Sequence, residues 1–221
     1  MSTAHWPLFD LVVRTPRLEL RVPTDDEYRD VCEVAVGGVH APREMPFAVE
    51  WTDAPAPQLR RNAFQFLWGT RAAWTPETWH LEFAVHHRGR PVGMKGLWAR
   101  DFDVTGEVST GSWLGLDHQG RGFGKEMRAA VLHLAFAGLG ARWATSQVFD
   151  DNPASIAVNR HHGYLDDGFD IRSRRGEPAR WLRHRLAAGQ WLGRHPQDDG
   201  ITVHGLDGCR DMFARPREAA R

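Results

Sequence analysis

Three glycines, Gly120, Gly122 and Gly124, fall within five residues of the stretch HQGRGFGKEM, directly before a helix-like run. Small residues let backbone N–H groups point inward together. A helix starting there adds its own free N–H groups and the positive end of its dipole. Arg121 and Lys125 bring charge to the same turn. The chemistry this suits is the grip of a phosphate; a solvated glycine turn has the same composition. Two familiar phosphate loops fail on inspection. The fingerprint G-x-G-x-x-G would need glycine at Lys125 or at Met127, and G-x-x-x-x-G-K-[ST] would need glycine at Gln119 and Ser or Thr at Glu126.

A second group lies in DNPASIAVNRHHGY. Pro153 fits the first position of a helix, Asn152 its N-cap and Gly163 the position past its end. Asn152, Ser155 and Asn159 are spaced by three and four, so they share one stripe of that helix. The stripe is polar and uncharged. It either faces water or offers hydrogen bonds to an amide-rich ligand.

The flanking elements must position both groups. TPRLELRV predicts a strand, with Thr24 and Glu27 three residues apart as a capping box for the helix that follows. The loop from His40 to Gln58 is rich in proline. PQLRRNAFQFLWGTRAAW predicts a helix with Leu59, Ala63, Phe66 and Leu67 on one side. HLEFAVHHRG and RPVGMKGLWAR read as two strands with a tight turn at Arg88-Gly89, and EVSTGSWLGLD as a third. KEMRAAVLHLAFAGLG places Met127, Ala130, Val131, Leu134 and Ala135 at helical spacing before Gly138 and Gly140. ARWATSQVF predicts a strand, and YLDDGFDIRS with ARWLRHRL a closing pair. The basic RSRRGEPAR then reads as a solvated hairpin tip, or as a contact for a phosphate or an acidic substrate. The order is mixed α/β.

Composition excludes several classes. The 221 residues carry 28 Lys+Arg and 28 Asp+Glu, a balance with no pull toward nucleic acid or a membrane surface. No apolar run has membrane-spanning length, and the start lacks a signal-peptide pattern. Two cysteines, Cys32 and Cys209, form no disulfide framework and suit a reducing cytoplasm. The twelve histidines include the pairs His86-His87 and His161-His162, whose side chains diverge, so no metal site is expected. HHRGRPVG has Pro91 where an H-H-x-x-x-D acyltransferase motif needs aspartate.

The pattern Q-x-x-G-x-G, filled by Gln119, Gly122 and Gly124, resembles the acyl-CoA pyrophosphate loop of the GCN5-related N-acetyltransferases. N-x-x-S-x-x-V-x-x-x-x-G-[FY], filled by Asn152, Ser155, Val158, Gly163 and Tyr164, resembles the RimJ/RimL-like branch of that family. The resemblance spans roughly residues 12 to 186, and the flanking segments look like an actinobacterial subgroup that includes users of succinyl-CoA.

The resemblance implies a mixed, strongly twisted central sheet flanked by helices, with a splayed strand pair holding acyl-CoA. It implies one acyltransferase domain over residues 1–186, with residues 187–221 as an extension packed on it or trailing from it. The implied reaction is direct transfer of an acetyl or succinyl group from acetyl-CoA or succinyl-CoA to a primary amine, in a ternary complex. The acceptor is a protein N-terminus, a lysine or a small metabolite. Leu114 would offer its N–H to the thioester, with Gly115 and Leu116 lining the pantetheine arm. The amides of Gln119, Gly120, Arg121, Gly122, Phe123, Gly124 and Lys125 would hold the pyrophosphate, and Asn152, Ser155 and Asn159 would bond the arm. Many relatives carry a thiolate-protonating tyrosine where this chain has Asn159, so the general acid falls to Ser155.

Glu107, at the start of the strand that carries Leu114, is the first candidate for general base; a solvated strand-end carboxylate is the plain alternative. Glu82, Asp117 and a water chain are other candidates. Ser112 stands where relatives often have an aromatic, which leaves room for a larger acyl group. The rival readings are an antibiotic-modifying acetyltransferase and a non-catalytic acyl-CoA-binding module. Relatives are often dimers, and the aromatic content permits a homodimer.

Overall fold

The computed structural model describes residues 5–194 and 200–214. Nine strands form one mixed sheet in the order β7-β8-β6-β5-β4-β3-β2-β1-β9. The strands are β1 (Val12–Arg14), β2 (Leu18–Arg21), β3 (Trp79–His87), β4 (Arg90–Ala99), β5 (Glu107–Leu114), β6 (Trp143–Phe149), β7 (Leu165–Arg174), β8 (Glu177–Ala187) and β9 (Thr202–His204). The helices are α1 (Asp25–Val36), α2 (Ala56–Ala72), the short α3 (Phe102–Thr105), α4 (Phe123–His133), α5 (Pro153–His162) and α6 (Ala188–Leu192).

Local chemistry accounts for the boundaries. Thr24 and Glu27 form the capping box at the start of α1, with reciprocal side-chain bonds to backbone N–H groups. Arg88 and Gly89 both have positive φ, the conformation a two-residue hairpin turn demands. Met127, Ala130 and Val131 bury the inner face of α4. The run does not continue as a regular helix to Gly138, because Leu134–Gly138 forms a π-helical turn before Gly140 stops it. On α2, Leu59 and Leu67 are buried, but Phe66 is half exposed and meets His80 edge-on with ring centres 5.4 Å apart. Phe66 stands at the border of the apolar stripe and rests on His80 of β3 with half of its surface still in solvent.

The sheet separates two apolar layers. On one face Tyr28, Val31 and Cys32 of α1 and Leu67 of α2 pack against Ala84, Met94 and Trp113. On the other, Phe123, Met127, Ala130 and Val131 of α4 pack against Leu97, Val108, Leu114 and Ala144. The C-terminal segment joins the second core. Trp191 is fully buried, β9 pairs antiparallel with β1, and Phe213 packs against Trp74 and Trp79.

Candidate active site

Among the described residues β5 and β6 are the one parallel pair of the sheet, and they stay together only briefly. Glu107, Val108 and Ser109 pair with Trp143, Ala144 and Thr145, and the strands then part. Each keeps its outer partner: β5 stays on β4 as far as Leu114, and β6 on β8 as far as Phe149. A wedge therefore opens toward the carboxyl ends of both strands, where the crevices of α/β sheets take ligands. Two helix N-termini follow those ends, that of α4 after β5 and that of α5 after β6.

The α4 entrance gathers backbone N–H groups that the fold leaves unpaired. Gly120 and Gly122 adopt φ of +72° and +81°, which residues with a Cβ rarely do. Gly122 is the N-cap and supplies no side chain to the first turn. Gln119 N–H and Lys125 N–H are spent on the carbonyls of Leu116 and Gly122. The five N–H groups between them, Gly120 through Gly124, have no acceptor among the described residues. Arg121 and Lys125 are exposed beside them. The Gln119 side chain is a brace: Nε2 donates to the carbonyls of Val39 (2.8 Å) and Leu114 (2.9 Å).

Gly115 N–H donates to Val92 of β4. Peptide groups of an extended strand alternate sides, so the Leu114 N–H faces the opposite way, into the wedge, where β6 offers no partner. Gly115 is buried and a Cβ there would meet Val34 of α1 at 2.7 Å, so this end of β5 is pressed against α1. Leu116 is exposed.

On α5, Asn152 is the N-cap and accepts from the Ser155 N–H at 3.1 Å. Ser155 is half-buried in the first turn, at the mouth of the wedge. Asn159 departs from the expected stripe. It is fully buried, accepting from Arg128 Nη1 at 2.9 Å and lying 3.2 Å from His184 Nδ1. Its amide is engaged by these two partners inside the fold. The spacing places the three residues on one face, but α4 covers the last of them.

Glu107 is the first residue of β5, at the closed end of the wedge, paired in an ion bridge with Arg185 Nη1 at 2.8 Å. Leu114 is seven positions further along the strand, about 23 Å of extended chain. Glu82 lies in a different place. It shares a cross-strand row with Gly96 and Gly111, two residues past the last β5–β6 pair. With no Cβ on either glycine, its carboxylate leans over β4: a Cβ on Gly96 would lie 2.7 Å from Glu82 Oε1. His80 Nε2 stands 2.7 Å from the same oxygen. Asp117 is exposed in the turn after β5. Among the described residues no group of His, Cys, Asp or Glu is placed to hold a metal.

The family model for the acetyltransferase (GNAT) domain matches residues 17–164, which contain the wedge, the glycine turn and all of α5. The chain belongs to the GNAT acetyltransferase family. Solved structures share the fold of this GNAT domain at low identity. RimL, a ribosomal L7/L12 alpha-N-protein acetyltransferase in complex with coenzyme A, matches with TM-score 0.65 and 16% identity over 80% of this chain and 97% of its own. Mycobacterium smegmatis RimJ, in complex with CoA-disulfide, matches with TM-score 0.63 and 16% identity over 93% of this chain and 94% of its own. A protein from Vibrio cholerae described as a ribosomal-protein-serine acetyltransferase matches with TM-score 0.61 and 22% identity, over 80% and 97%.

Three features of the GNAT site were beyond sequence reasoning. First, Arg17 braces the glycine turn: its Nη1 donates to the Arg121 carbonyl at 3.0 Å and its Nε to Glu126 at 2.6 Å, while Thr15 donates to Glu126 at 2.6 Å. The partners lie over a hundred residues apart, and no periodicity links them. Second, the hairpin tip is tied down. Arg174 pairs with Asp151 through both guanidinium arms, and Arg175 pairs with Asp53 and bonds Glu50 and Pro42. These bonds strap the His40–Gln58 loop to the β7–β8 hairpin, so neither a solvated tip nor a free anion contact describes it. Third, that loop carries Phe47 and Trp51, whose tilted rings pack in series against Trp113 of β5.

Proposed function

We propose that this enzyme transfers an acyl group from an acyl-CoA to a primary amine by direct attack in a ternary complex. The single observation that carries the reading is the run of five unpartnered N–H groups, Gly120 to Gly124, at the mouth of a wedge between parallel strands. In this reading they hold the pyrophosphate, aided by Arg121 and Lys125. The pantetheine arm lies between β5 and β6, past Gly115 and Leu116 and bonded by Asn152 and Ser155.

Each chemical need then has a group. Leu114 N–H polarises the thioester carbonyl and stabilises the oxyanion. Ser155 donates a proton to the departing thiolate. The base moves from Glu107 to Glu82, whose carboxylate overhangs the glycine row beside the wedge, with His80 Nε2 2.7 Å from its Oε1. The acceptor approaches from the α1/α2 face under the strapped loop, along Phe47, Trp51 and Trp113. It is a protein N-terminus, a lysine or a small metabolite amine, and the donor carries an acetyl or a succinyl group.

The test is calorimetric binding of free CoA to wild type, Gly122→Asn and Gly122→Asp. Both side chains bear the same backbone strain at φ +81°. The carboxylate alone should oppose the pyrophosphate, weakening binding by about tenfold or more beyond the asparagine variant. Equal binding to the two folded variants, or no binding of CoA to wild type, would sink the reading.

A further inference from the structure

The sheet ends in two unlike edges. β9, at one end, has three residues. β7, at the other, has ten, and among the described residues β8 is its one neighbour in the sheet. Its outer N–H and C=O groups therefore form an unpaired row, the template on which another strand docks. A bulge between Asp166 and Phe169 interrupts the first half of β7, while Phe169 to Arg174 run in unbroken register with β8.

That regular half is apolar on one face and charged on the other. Phe169 and Ile171 share a face and are 48% and 61% exposed. Arg180 of β8 lies over the Phe169 ring, 4.2 Å from its centre. The opposite face carries Asp170 and Arg172, of opposite sign and two residues apart. Asp170 pairs with Arg183 at 2.6 Å yet keeps 41% of its side chain in solvent. Arg172 is exposed and has no ion pair among the described residues.

These charges match themselves. Consider a second copy of the chain laid antiparallel along β7. A two-fold axis through the sheet keeps each face continuous, so every residue must meet one from its own face, and the axis must pass at a residue. An axis at Asp170 sets two carboxylates opposite each other. One at Arg172 does the same to two guanidinium groups, and one at Ser173 sets Arg172 against Arg174; like charges so placed are destabilising. An axis at Ile171 avoids all of these. It sets Ile171 against Ile171, Phe169 against Ser173, and Asp170 against Arg172 twice over.

We propose that the chain forms a two-fold dimer by antiparallel pairing of β7 with β7 of a second copy, centred on Ile171, which joins the two nine-stranded sheets into one. The contact braces the hairpin whose tip, Arg174 and Arg175, holds the strap in each copy. It is independent of the donor and the acceptor assigned above.

Sedimentation equilibrium of wild type, Ile171→Lys and Arg172→Asp, with oxidation of Ile171→Cys and Ser173→Cys, tests it. Wild type should have twice the mass of one chain. Ile171→Lys places two ammonium groups at the axis, and Arg172→Asp places carboxylates opposite Asp170. Each should weaken association about tenfold or more. Residues facing each other across an antiparallel pair lie about 4.5–5.5 Å apart at Cα, within reach of a disulfide. Ile171→Cys should therefore cross-link the dimer on mild oxidation, and Ser173→Cys should not; the native Cys32 and Cys209 are buried. The cysteine variants keep both charges, so they decide the register even if a charge variant folds poorly. A monomeric wild type overturns the proposal and leaves the edge to a different protein. A dimer that withstands both charge substitutions, or one that cross-links through Ser173→Cys rather than Ile171→Cys, overturns it as well.

Discussion

At the residue scale, the glycine turn could be read from the sequence because its chemistry is local. Three small residues around the start of a helix state their backbone freedom without reference to the rest of the fold. The surroundings of Glu107 and Asn159 are not legible in the sequence for the opposite reason. Their environment is set by Arg185 and Arg128, which arrive from elements far along the chain. The same holds for Glu82, whose reach depends on Gly96 and Gly111 on two other strands. The assignment of the base is directly testable. Glu82→Gln should lower kcat by about 100-fold or more, the usual weight of a general base. Glu107→Gln should lower it far less. The reverse order in steady-state rates would return the role to Glu107. Ser155→Ala should reduce kcat most with poor leaving groups, so a leaving-group series that runs parallel in wild type and variant would argue against its role as acid.

At the element scale, helix caps and strand periods were legible, since Thr24, Asn152 and Gly163 act within a turn of themselves. The strap was not, because it joins a proline-rich loop to a hairpin tip by ion pairs that have no pattern in either segment. Single exposed ion pairs contribute little, but bidentate pairs acting together fix geometry. Arg175→Ala should leave the fold intact and raise amide exchange across residues 40–54. It should also raise KM for the amine more than for the CoA substrate. Unchanged exchange in that loop would show that the strap does not order it. Acid should have a related effect. Hydrogen bonds from Arg175 and Arg174 hold the Asp53 and Asp151 carboxyls below their ordinary value of 3.8. A depressed carboxylate stabilises above its ordinary value and loses that contribution as pH falls through its folded value. The strap is therefore complete near neutrality and should release as pH drops below 3.8, read by tryptophan fluorescence from Trp51.

At the scale of the whole molecule, one nine-stranded sheet spans both ends of the described chain. The segment after Ala187 carried no readable period, because it contributes isolated anchors, Trp191, Leu206 and Phe213, rather than a face. Phe213→Ala should cost about 3–5 kcal/mol, the usual range for an aromatic removed from a core. Chemical denaturation measures this, and a loss under 1 kcal/mol would mean that the site repacks without strain. The pairing of β9 with β1 also has a consequence in time. Residues 202–204 must find residues 12–14 across nearly the whole length of the chain. While the polypeptide is emerging from the ribosome, the outer edge of β1 stays bare, and the hollow that Phe213 fills stays open to water. Closing so distant a contact is intrinsically slow. The nascent protein thus passes through an interval in which its wedge and glycine turn can already be formed but one flank is still adhesive, and a chaperone or a neighbouring nascent chain would meet that flank first.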